Sequence, residues 1–458
     1  MRRISRTVVV LCAAAGLAGC GGPKRLPPVV TEPEPRPVPV APVAPVVPRL
    51  LGVGLLEDSP QIAVAATGPA QVTDAADGRV LVRLAAAAEP LVVLRRGDGV
   101  AWAAAGAEGL APAVRLVPAD PSHLVTAGEE AYRGEFLVIP TPGRSTGLTL
   151  VNNIELEAYL QGVVPWEIGR HGRDALAALE AQAVAARTYT VSHLGARRDR
   201  GFDVFADVMD QVYRGARDED PLCNEAIAAT AGLVLRRDGA EIEAYYSACC
   251  GGVTSQVEEV WARKASPYLV SHKDGPPDGD PWCAGYRYFH WRETWAAAQL
   301  ESILARTLPA YIEYATTNGR EAWAGVPFTP RDGAADWRRP GGLLGLEILR
   351  RTTSGRVAEL AVITDAGTYH VRGDRTRWVL VPASGRPAIL RSALFDLELE
   401  RTEGALRTVS ARGRGYGHGI GLCQTGALAM ARHGHSVDRI LAHYYPGAVL
   451  VTAGGADR

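Results

Sequence analysis

Residues 413–427 read GRGYGHGIGLCQTGA, and this glycine-rich stretch decides how the rest of the chain is interpreted. Its six glycines give a backbone that can adopt positive φ angles and approach another group closely. His418, Cys423 and Gln424 lie among them with little bulk around them. Neither G-x-G-x-x-G nor G-x-x-x-x-G-K-[ST] can be read here, so the stretch is not a nucleotide cradle. Two interpretations remain, a binding loop and a glycine-rich turn in a β protein.

The N-terminus has the pattern of a bacterial export signal. Arg2, Arg3 and Arg6 precede a short apolar run, residues 7–18, which is below the roughly 20 residues that a spanning helix needs. The run ends in LAGC, which looks like a lipobox. We therefore expect residues 1–19 to be a lipoprotein signal peptide and Cys20 to be lipidated. An ordinary signal with a chance cysteine is the alternative.

A proline- and valine-rich segment follows Cys20. Residues 20–49 show neither helical nor alternating periodicity, which is typical of an extended tether. Such a segment could hold the folded part roughly 70–80 Å from a lipid anchor. The expected location is the cell envelope, on the periplasmic face of the outer membrane, which Gly21 after the cysteine favours.

Composition limits the function of the remaining 400 or so residues. A formal charge of −1 without a basic cluster gives no case for nucleic-acid binding. Five cysteines remain beyond the signal, and this odd number allows at most two disulfides and one free thiol.

The periodicity of the chain predicts an α+β fold with mostly antiparallel sheet and a few packed helices. Residues 50–150 are expected to form a small N-terminal β subdomain, and 151–458 a second region with an insertion at about 310–342. The predicted helices are 175–193 with Asp174 as N-cap, 224–231, 293–307, 425–433 and 437–444. The predicted strands are 80–84, 91–95, 113–117, 134–139, 148–151, 233–236, 242–246, 343–350, 357–364 and 368–372.

Five segments, in the same order along the chain, resemble motifs of the SpoIID/LytB family, the sporulation stage II protein D and amidase-enhancer group. The similarity implies the fold of that family's domain. The segments are NNIELEAYLQGVVPWE at 152–167, AQAVAARTY at 181–189, QVYRG at 211–215, the looser 247–261, and the glycine-rich stretch continuing to HYYPG at 443–447.

The resemblance implies a protein directed at peptidoglycan glycan strands. Enzymes of this family are lytic transglycosylases with one essential glutamate, which corresponds to Glu167, and family analogy points to strands without stem peptides. One carboxyl group suffices, because the sugar's own 6-hydroxyl attacks; glycosidases that use water typically need two. An apolar wall would raise the pKa of Glu167, and Trp166 is a candidate for it. The alternative function is a non-catalytic wall binder that stimulates a partner amidase.

Further substrate contacts are expected from polar and aromatic residues in the matched motifs. Arg187 either binds a substrate oxygen or forms a buried structural ion pair. Tyr189 and Tyr213 either stack on sugars or pack in the core. Gln182 is the other polar residue of the alanine-rich helix.

His418 and Gln424 are expected to line the same groove as Glu167. His418 would orient the sugar or assist proton transfer. A His418–Cys423 thiol hydrolase is disfavoured, because the family commonly has serine at that cysteine position.

The resemblance also bears on metal binding and disulfides. Some relatives bind zinc through a histidine and cysteines in a Y-H-S-x-C-G-G segment, but the histidine position holds Ser247 here. We therefore expect no cofactor, and a Cys250–Cys283 disulfide rather than zinc. His433 and His435 could form a metal pair, but an exposed turn after the last long helix is the favoured interpretation.

Overall fold

The computed structural model describes residues 50–85, 90–317, 326–332 and 336–453. The predictions of a signal peptide, a lipidated Cys20 and a tether concern residues outside these ranges, and so does part of the expected insertion. No helix in the described ranges is both long and apolar enough to cross a membrane.

The chain begins with antiparallel strands in two sheets. A seven-stranded sheet has the order β13-β1-β12-β11-β8-β3-β4, and a six-stranded sheet the order β10-β9-β2-β5-β6-β7. Alternating residues of the strands, such as Ile62 and Val64, are buried in the core. The strands are β1 Leu50–Ser59, β2 Gln61–Ala66, β3 Ala70–Asp74, β4 Val80–Leu84, β5 Leu91–Arg96, β6 Gly99–Ala104, β7 Ala107–Ala111, β8 Val114–Pro118, β9 Val125–Ala127, β10 Glu130–Tyr132, β11 Glu135–Pro140 and β12 Leu148–Glu155.

A helical region follows. Helix α3 is buried along most of its length, because its alanines allow α4, α8 and β14 to pack closely around it. Asp220 caps α4 by accepting hydrogen bonds from the backbone N–H groups of Leu222 and Cys223. The elements are α1 Leu156–Gln161, α2 Val164–Glu167, α3 Leu176–Ser192, β13 Val204–Phe205 and α4 Pro221–Ala229, with 3-10 turns at Arg173–Ala175 and Arg198–Arg200.

The remaining elements lie around two hydrophobic cores. Elements from β17 to β23 surround a core of their own, which includes Trp295, Leu308 and Val371. The last strand pairs with β14 and belongs to the main core. The elements are β14 Leu233–Arg237, β15 Ala240–Glu241, β16 Tyr246–Ser247, α5 Val257–Val260, β17 His290–Ala296, α6 Ala297–Thr317, β18 Phe328–Pro330, β19 Leu343–Arg351, β20 Val357–Thr364, β21 Gly367–Arg372, α7 Arg375–Val379, β22 Phe395–Thr402, β23 Ala405–Arg414, β24 Leu422–Cys423, α8 Gln424–Arg432, α9 Val437–Tyr444 and β25 Val449–Thr452.

The α+β class is confirmed, and three local predictions are wrong. The predicted helix at 293 begins at Ala297, because Trp291 and Trp295 are buried in an alternating strand that pairs with β23. The predicted strand 242–246 is mostly irregular, with only Tyr246 in β16. Asp174 does not cap α3; its carboxylate accepts a hydrogen bond from Arg432.

Candidate functional site

Glu167 ends the short helix α2, whose first two residues are buried and anchor it. Val164 and Pro165 form the first turn, where proline's fixed φ favours helix and its missing N–H is not needed. The Glu167 side chain is half-buried, and its Oε1 accepts a hydrogen bond of 2.7 Å from the backbone N–H of Val212. This contact fixes the carboxyl group between α2 and the 211–215 segment.

Two glutamines complete the surroundings of the carboxyl group. The side chain of Gln424, the first residue of α8, hydrogen-bonds Glu167. Its Nε2 also donates to Oε1 of Gln182 on α3, at 3.3 Å. Nε2 of Gln182 is buried without a hydrogen-bond partner in the described part of the chain. The two glutamines thus link the carboxyl group to α3, with Gln424 at the cavity and Gln182 buried behind it.

Burial dominates the protonation of Glu167. It raises the pKa of the carboxyl group from 4.5 to about 7, against the opposing effect of the hydrogen bonds from Val212 and Gln424. About half of the molecules therefore carry a protonated Glu167 near neutral pH. A carboxylic acid in this state can donate a proton in the physiological range.

Glu167 opens into a cavity of about 410 Å³. The walls include Tyr286, Arg287 and Arg432, so the cavity offers both an aromatic ring and cationic groups. Trp166 is 46 % exposed and is not among the residues that line this cavity. The space suits a polar ligand of several rings.

The glycine-rich stretch folds against the chain itself. Its end, β24, pairs in parallel with β16. Cys249 and Tyr416 form an isolated antiparallel β-bridge through their backbones. A Cβ on Gly421, where φ is +67°, would lie 2.0 Å from the carbonyl oxygen of Tyr245. The stretch therefore needs glycine for close packing of backbone on backbone, and it delivers Gln424 to the cavity.

Three thiols and one carboxylate form a buried cluster behind this loop. The ligand atoms of Cys250, Asp274, Cys283 and Cys423 lie within 4.8 Å of one another. Sγ of Cys250 donates to Asp274 Oδ2 at 2.9 Å. Sγ of Cys423 accepts hydrogen bonds from two backbone N–H groups, those of Cys250 and Gly426.

Comparison with known proteins gives the family. Residues 144–236 match the model of the Stage II sporulation protein family, SpoIID. This range contains Glu167 and Gln182. Residues 336–421 match a domain of unknown function, DUF8618.

Three curated relatives agree. An amidase enhancer of Bacillus subtilis is 32% identical over 305 residues, which cover 64% of this chain and 40% of that protein. The stage II sporulation protein D of the same organism is 28% identical over 341 residues, covering 71% and 82% of the two chains. The stage II sporulation protein D of Bacillus amyloliquefaciens is 28% identical over 335 residues, which cover 69% of this chain and 79% of that protein. Residues 144–236 therefore form a SpoIID domain, and the chain is similar to the amidase-enhancer and stage II sporulation protein D group. The chain spans less than half the length of the amidase enhancer.

In this SpoIID-domain protein, three residues that the sequence proposed as substrate contacts are structural. Arg187 is fully buried and forms a bidentate ion pair with Glu157 at 2.8 and 2.7 Å. The Tyr213 hydroxyl donates to Asn152 Oδ1. The Tyr189 hydroxyl donates to Asp210. Of the two alternatives for each residue, the structural role in the core therefore applies, because each polar group has its hydrogen-bond partner within the fold.

His418 does not line the Glu167 cavity, contrary to expectation. Its ring packs 4.8 Å from that of Trp261, and its Nδ1 accepts the backbone N–H of Ile420. Burial lowers the pKa of His418 to about 4, so it is neutral at physiological pH. Its observed role is to shape the glycine-rich loop. Gln182 and Gln424, by contrast, do lie at the site.

The cysteine prediction needs a correction. Cys250 and Cys283 are free thiols with their sulfurs 3.6 Å apart, whereas a disulfide bond is about 2 Å long. Neighbouring thiols that donate hydrogen bonds to Cys283 lower its pKa. Three thiols and a carboxylate are a donor set that suits Zn²⁺, whose tetrahedral thiolate ligands lie about 3.8 Å apart. The four residues thus form a donor set that fits Zn²⁺, with Asp274 as the ligand that is not a cysteine.

The residues that hydrogen-bond Asp274 also support the fit of this cluster to Zn²⁺. Oδ1 of Asp274 accepts hydrogen bonds from Tyr444 at 3.0 Å and from Nε2 of His443 at 3.1 Å. Such partners hold a ligating carboxylate in one orientation. His433 and His435 instead lie beside the ring of Trp282.

The sequence analysis missed several residues of the site. Val212 lies inside the recognised QVYRG motif, but its contribution is a backbone N–H that no side-chain pattern shows. Asp274 and Arg287 lie outside the matched motifs, and Arg432 lies inside the last one without being a distinctive residue of it. Only the three-dimensional fold brings them together.

The raised pKa of Glu167 predicts a pH-dependent gain in stability for Glu167→Gln. The folded protein binds this proton more tightly than the unfolded chain, so wild-type stability falls as pH rises from about 4.5 to about 7. The variant lacks this loss. Its free energy of unfolding should exceed that of the wild type by on the order of 1–3 kcal/mol at pH 8, with little difference at pH 4. Urea unfolding at both pH values measures it, and an equal difference at both would contradict the pKa shift.

Proposed function

We propose that this protein is a peptidoglycan lytic transglycosylase in which Glu167 acts first as general acid and then as general base. The observation that carries the proposal is the pKa of about 7 at a carboxyl group that opens into a ligand-sized cavity. The SpoIID domain and the similarity to the amidase-enhancer and stage II sporulation protein D group support a role at peptidoglycan.

In the first step, protonated Glu167 donates its proton to the oxygen of the MurNAc–GlcNAc bond. The bond between this oxygen and C1 of MurNAc breaks, and positive charge develops on the MurNAc ring. The leaving GlcNAc takes the proton as its new hydroxyl hydrogen. Glu167 is now a carboxylate beside the cationic ring, which it stabilises electrostatically.

In the second step, the 6-hydroxyl of the same MurNAc attacks C1. The Glu167 carboxylate takes the hydroxyl proton, and the 1,6-anhydro ring closes. The acid is thereby restored, and no water is consumed. This sequence needs one carboxyl group, which agrees with Glu167 acting without a second acid at a set spacing.

The surrounding groups position the carboxyl and tune it. The N–H of Val212 and the amide of Gln424 hold the side chain and partly stabilise its charged form between the two steps. Gln182 is fully buried behind Gln424, and its Oε1 accepts the hydrogen bond that helps to orient the Gln424 amide.

The cysteine cluster has a structural task in this scheme. Zn²⁺ would be held by Cys250, Asp274, Cys283 and Cys423. The bound ion would join the 249–252 segment, residue 283 and the start of α8 to one another. Because Gln424 follows Cys423 directly, this cluster positions the amide that contacts Glu167.

A second candidate function is a non-catalytic activator of a cell-wall amidase. The name of the Bacillus subtilis amidase enhancer favours it. Incubation of the purified protein with sacculi separates the two functions. Release of soluble glycan fragments supports the enzyme, whereas binding without release, together with faster amidase action, supports the activator.

We also propose that Cys20 anchors the protein to the cell envelope through a lipid, which brings the site to the wall. Cys20→Ala should shift the protein from the membrane fraction to the soluble fraction or leave an uncleaved precursor. Immunoblots of fractionated cells measure this. Firm membrane association of the mature variant would contradict the proposal. Cys223→Ala, which changes a buried thiol, is the control and should remain membrane-bound.

A further inference from the structure

A second cavity, of about 530 Å³, lies on the sheet formed by β17, β23 and β22. Its lining includes four arginines and a histidine but only one acid, Asp396. These basic residues are His290, Arg292, Arg351, Arg412 and Arg414. We call these residues the basic groove. The chain as a whole carries a formal charge of −1, so this concentration of cations is a local feature.

The register of the sheet places two arginines directly opposite each other. Arg292 pairs with Arg412, and the neighbouring cross-strand pair is His290 with Arg414. Cationic residues in such cross-strand positions repel each other and destabilise a sheet. An anion bound between them would remove this repulsion.

Only part of the charge is neutralised within the fold. Arg351 pairs with Asp396, and Arg412 pairs with Glu398 at 3.0 Å. In the described ranges, Arg292 and Arg414 have no carboxylate within ion-pair distance, and both side chains are exposed. Two guanidinium groups therefore remain available, and their planar geometry suits carboxylates.

A short segment connects the basic groove to the Glu167 cavity. Tyr286 and Arg287 line the Glu167 cavity, and His290 lines the groove three residues later, which is at most about 11 Å of chain. Tyr286, Tyr288 and Tyr416 form a row between them, with ring centroids 5.8 Å apart at each step. The guanidinium groups of Arg287 and Arg391 lie over the Tyr288 ring, 4.6 and 5.0 Å from its centroid. Tyr286 and Tyr416 are half-buried rings of the kind on which a sugar can pack.

We propose that the basic groove is a subsite for the carboxylates of the same glycan strand that Glu167 cleaves. This inference rests on the proposed function. The carboxylate has two possible sources. Removal of the stem peptide frees the lactyl carboxylate of MurNAc, and a retained stem peptide carries carboxylates of its own. The tyrosine row would guide the strand from one cavity to the other.

The test measures binding in the full-length Glu167→Gln protein, which should not cut the strand during the measurement. The ligands are amidase-treated glycan strands, peptide-bearing strands and, as a neutral control, chitin oligosaccharides. Arg292→Gln with Arg414→Gln should weaken binding of at least one carboxylate-bearing ligand about tenfold or more and reduce its salt sensitivity. Binding to chitin should be weaker at the outset and unchanged by the substitutions.

Arg407→Gln is the matched control. Arg407 is an exposed arginine of β23 outside the groove, so binding should persist. Loss with treated strands identifies the lactyl carboxylate, and loss only with peptide-bearing strands identifies the stem peptide. Undiminished binding of both ligands by the folded double variant would overturn the proposal, as would equally tight chitin binding. Failure of catalysis would instead appear as absence of cleavage by the wild type.

Discussion

Glu167→Gln should lower the rate of glycan cleavage roughly 10²–10⁴-fold while binding to sacculi persists. The amide keeps the size of the side chain, but it has no acidic proton to donate to the glycosidic oxygen. Release of soluble fragments from sacculi, followed over time, measures the effect. Glu155→Gln is a suitable control, because Glu155 is an exposed carboxylate shortly before α1. Activity of Glu167→Gln within a few-fold of the wild type would remove Glu167 from the mechanism.

The pH dependence of cleavage should follow the same group. General acid catalysis requires the protonated carboxyl, whose fraction falls tenfold for each pH unit above about 7. The rate should therefore decline on the alkaline side of neutrality, which agrees with a carboxyl group made a weaker acid by burial.

Gly421→Ala should destabilise the fold by about 3 kcal/mol or more. The substitution adds strain at a positive φ, and its methyl group would lie 2.0 Å from the backbone oxygen of Tyr245. Backbone cannot move away as a flexible side chain can. Thermal or urea unfolding measures the loss.

Gly434→Ala is the matched control for this effect. Gly434 also has a positive φ, +83°, but a Cβ there meets no atom within 4 Å. Only the conformational strain remains, so the cost should be about 1 kcal/mol. Equal losses for the two variants would show that the close approach of the loop to Tyr245 is unimportant.

The sequence predicted the elements whose pattern is local. Strands such as β4 and β20 and the long helix α3 were placed within a few residues of their observed bounds, because alternation and helical periodicity reflect burial directly. The strand β17 was missed, because Trp295 also fits one face of the predicted helix 293–307, together with Leu300 and Ile303. Pairing with β23, which is distant in the chain, decided its conformation.

The functional site shows the same contrast between what a local sequence pattern predicts and what only the fold decides. Glu167, Gln182 and Gln424 were identified from motifs, and the structure brings them together. Arg187, Tyr189 and Tyr213 lie in equally distinctive motifs. Their polar groups, however, bind other residues of the fold, which are Glu157, Asp210 and Asn152 respectively. Motif membership could not separate the two groups, since buried structural networks and ligand sites both use polar side chains in fixed patterns. The cysteine cluster depended on Asp274, which has no sequence signal.

The most direct test of the central claim is mass analysis of the fragments released from sacculi by the wild type beside Glu167→Gln. The account predicts fragments that end in 1,6-anhydro-MurNAc from the wild type and almost none from the variant. Fragments with reducing MurNAc ends would show that water, rather than the 6-hydroxyl, attacks C1. Those ends, or anhydro products at wild-type levels from Glu167→Gln, would contradict the assigned mechanism.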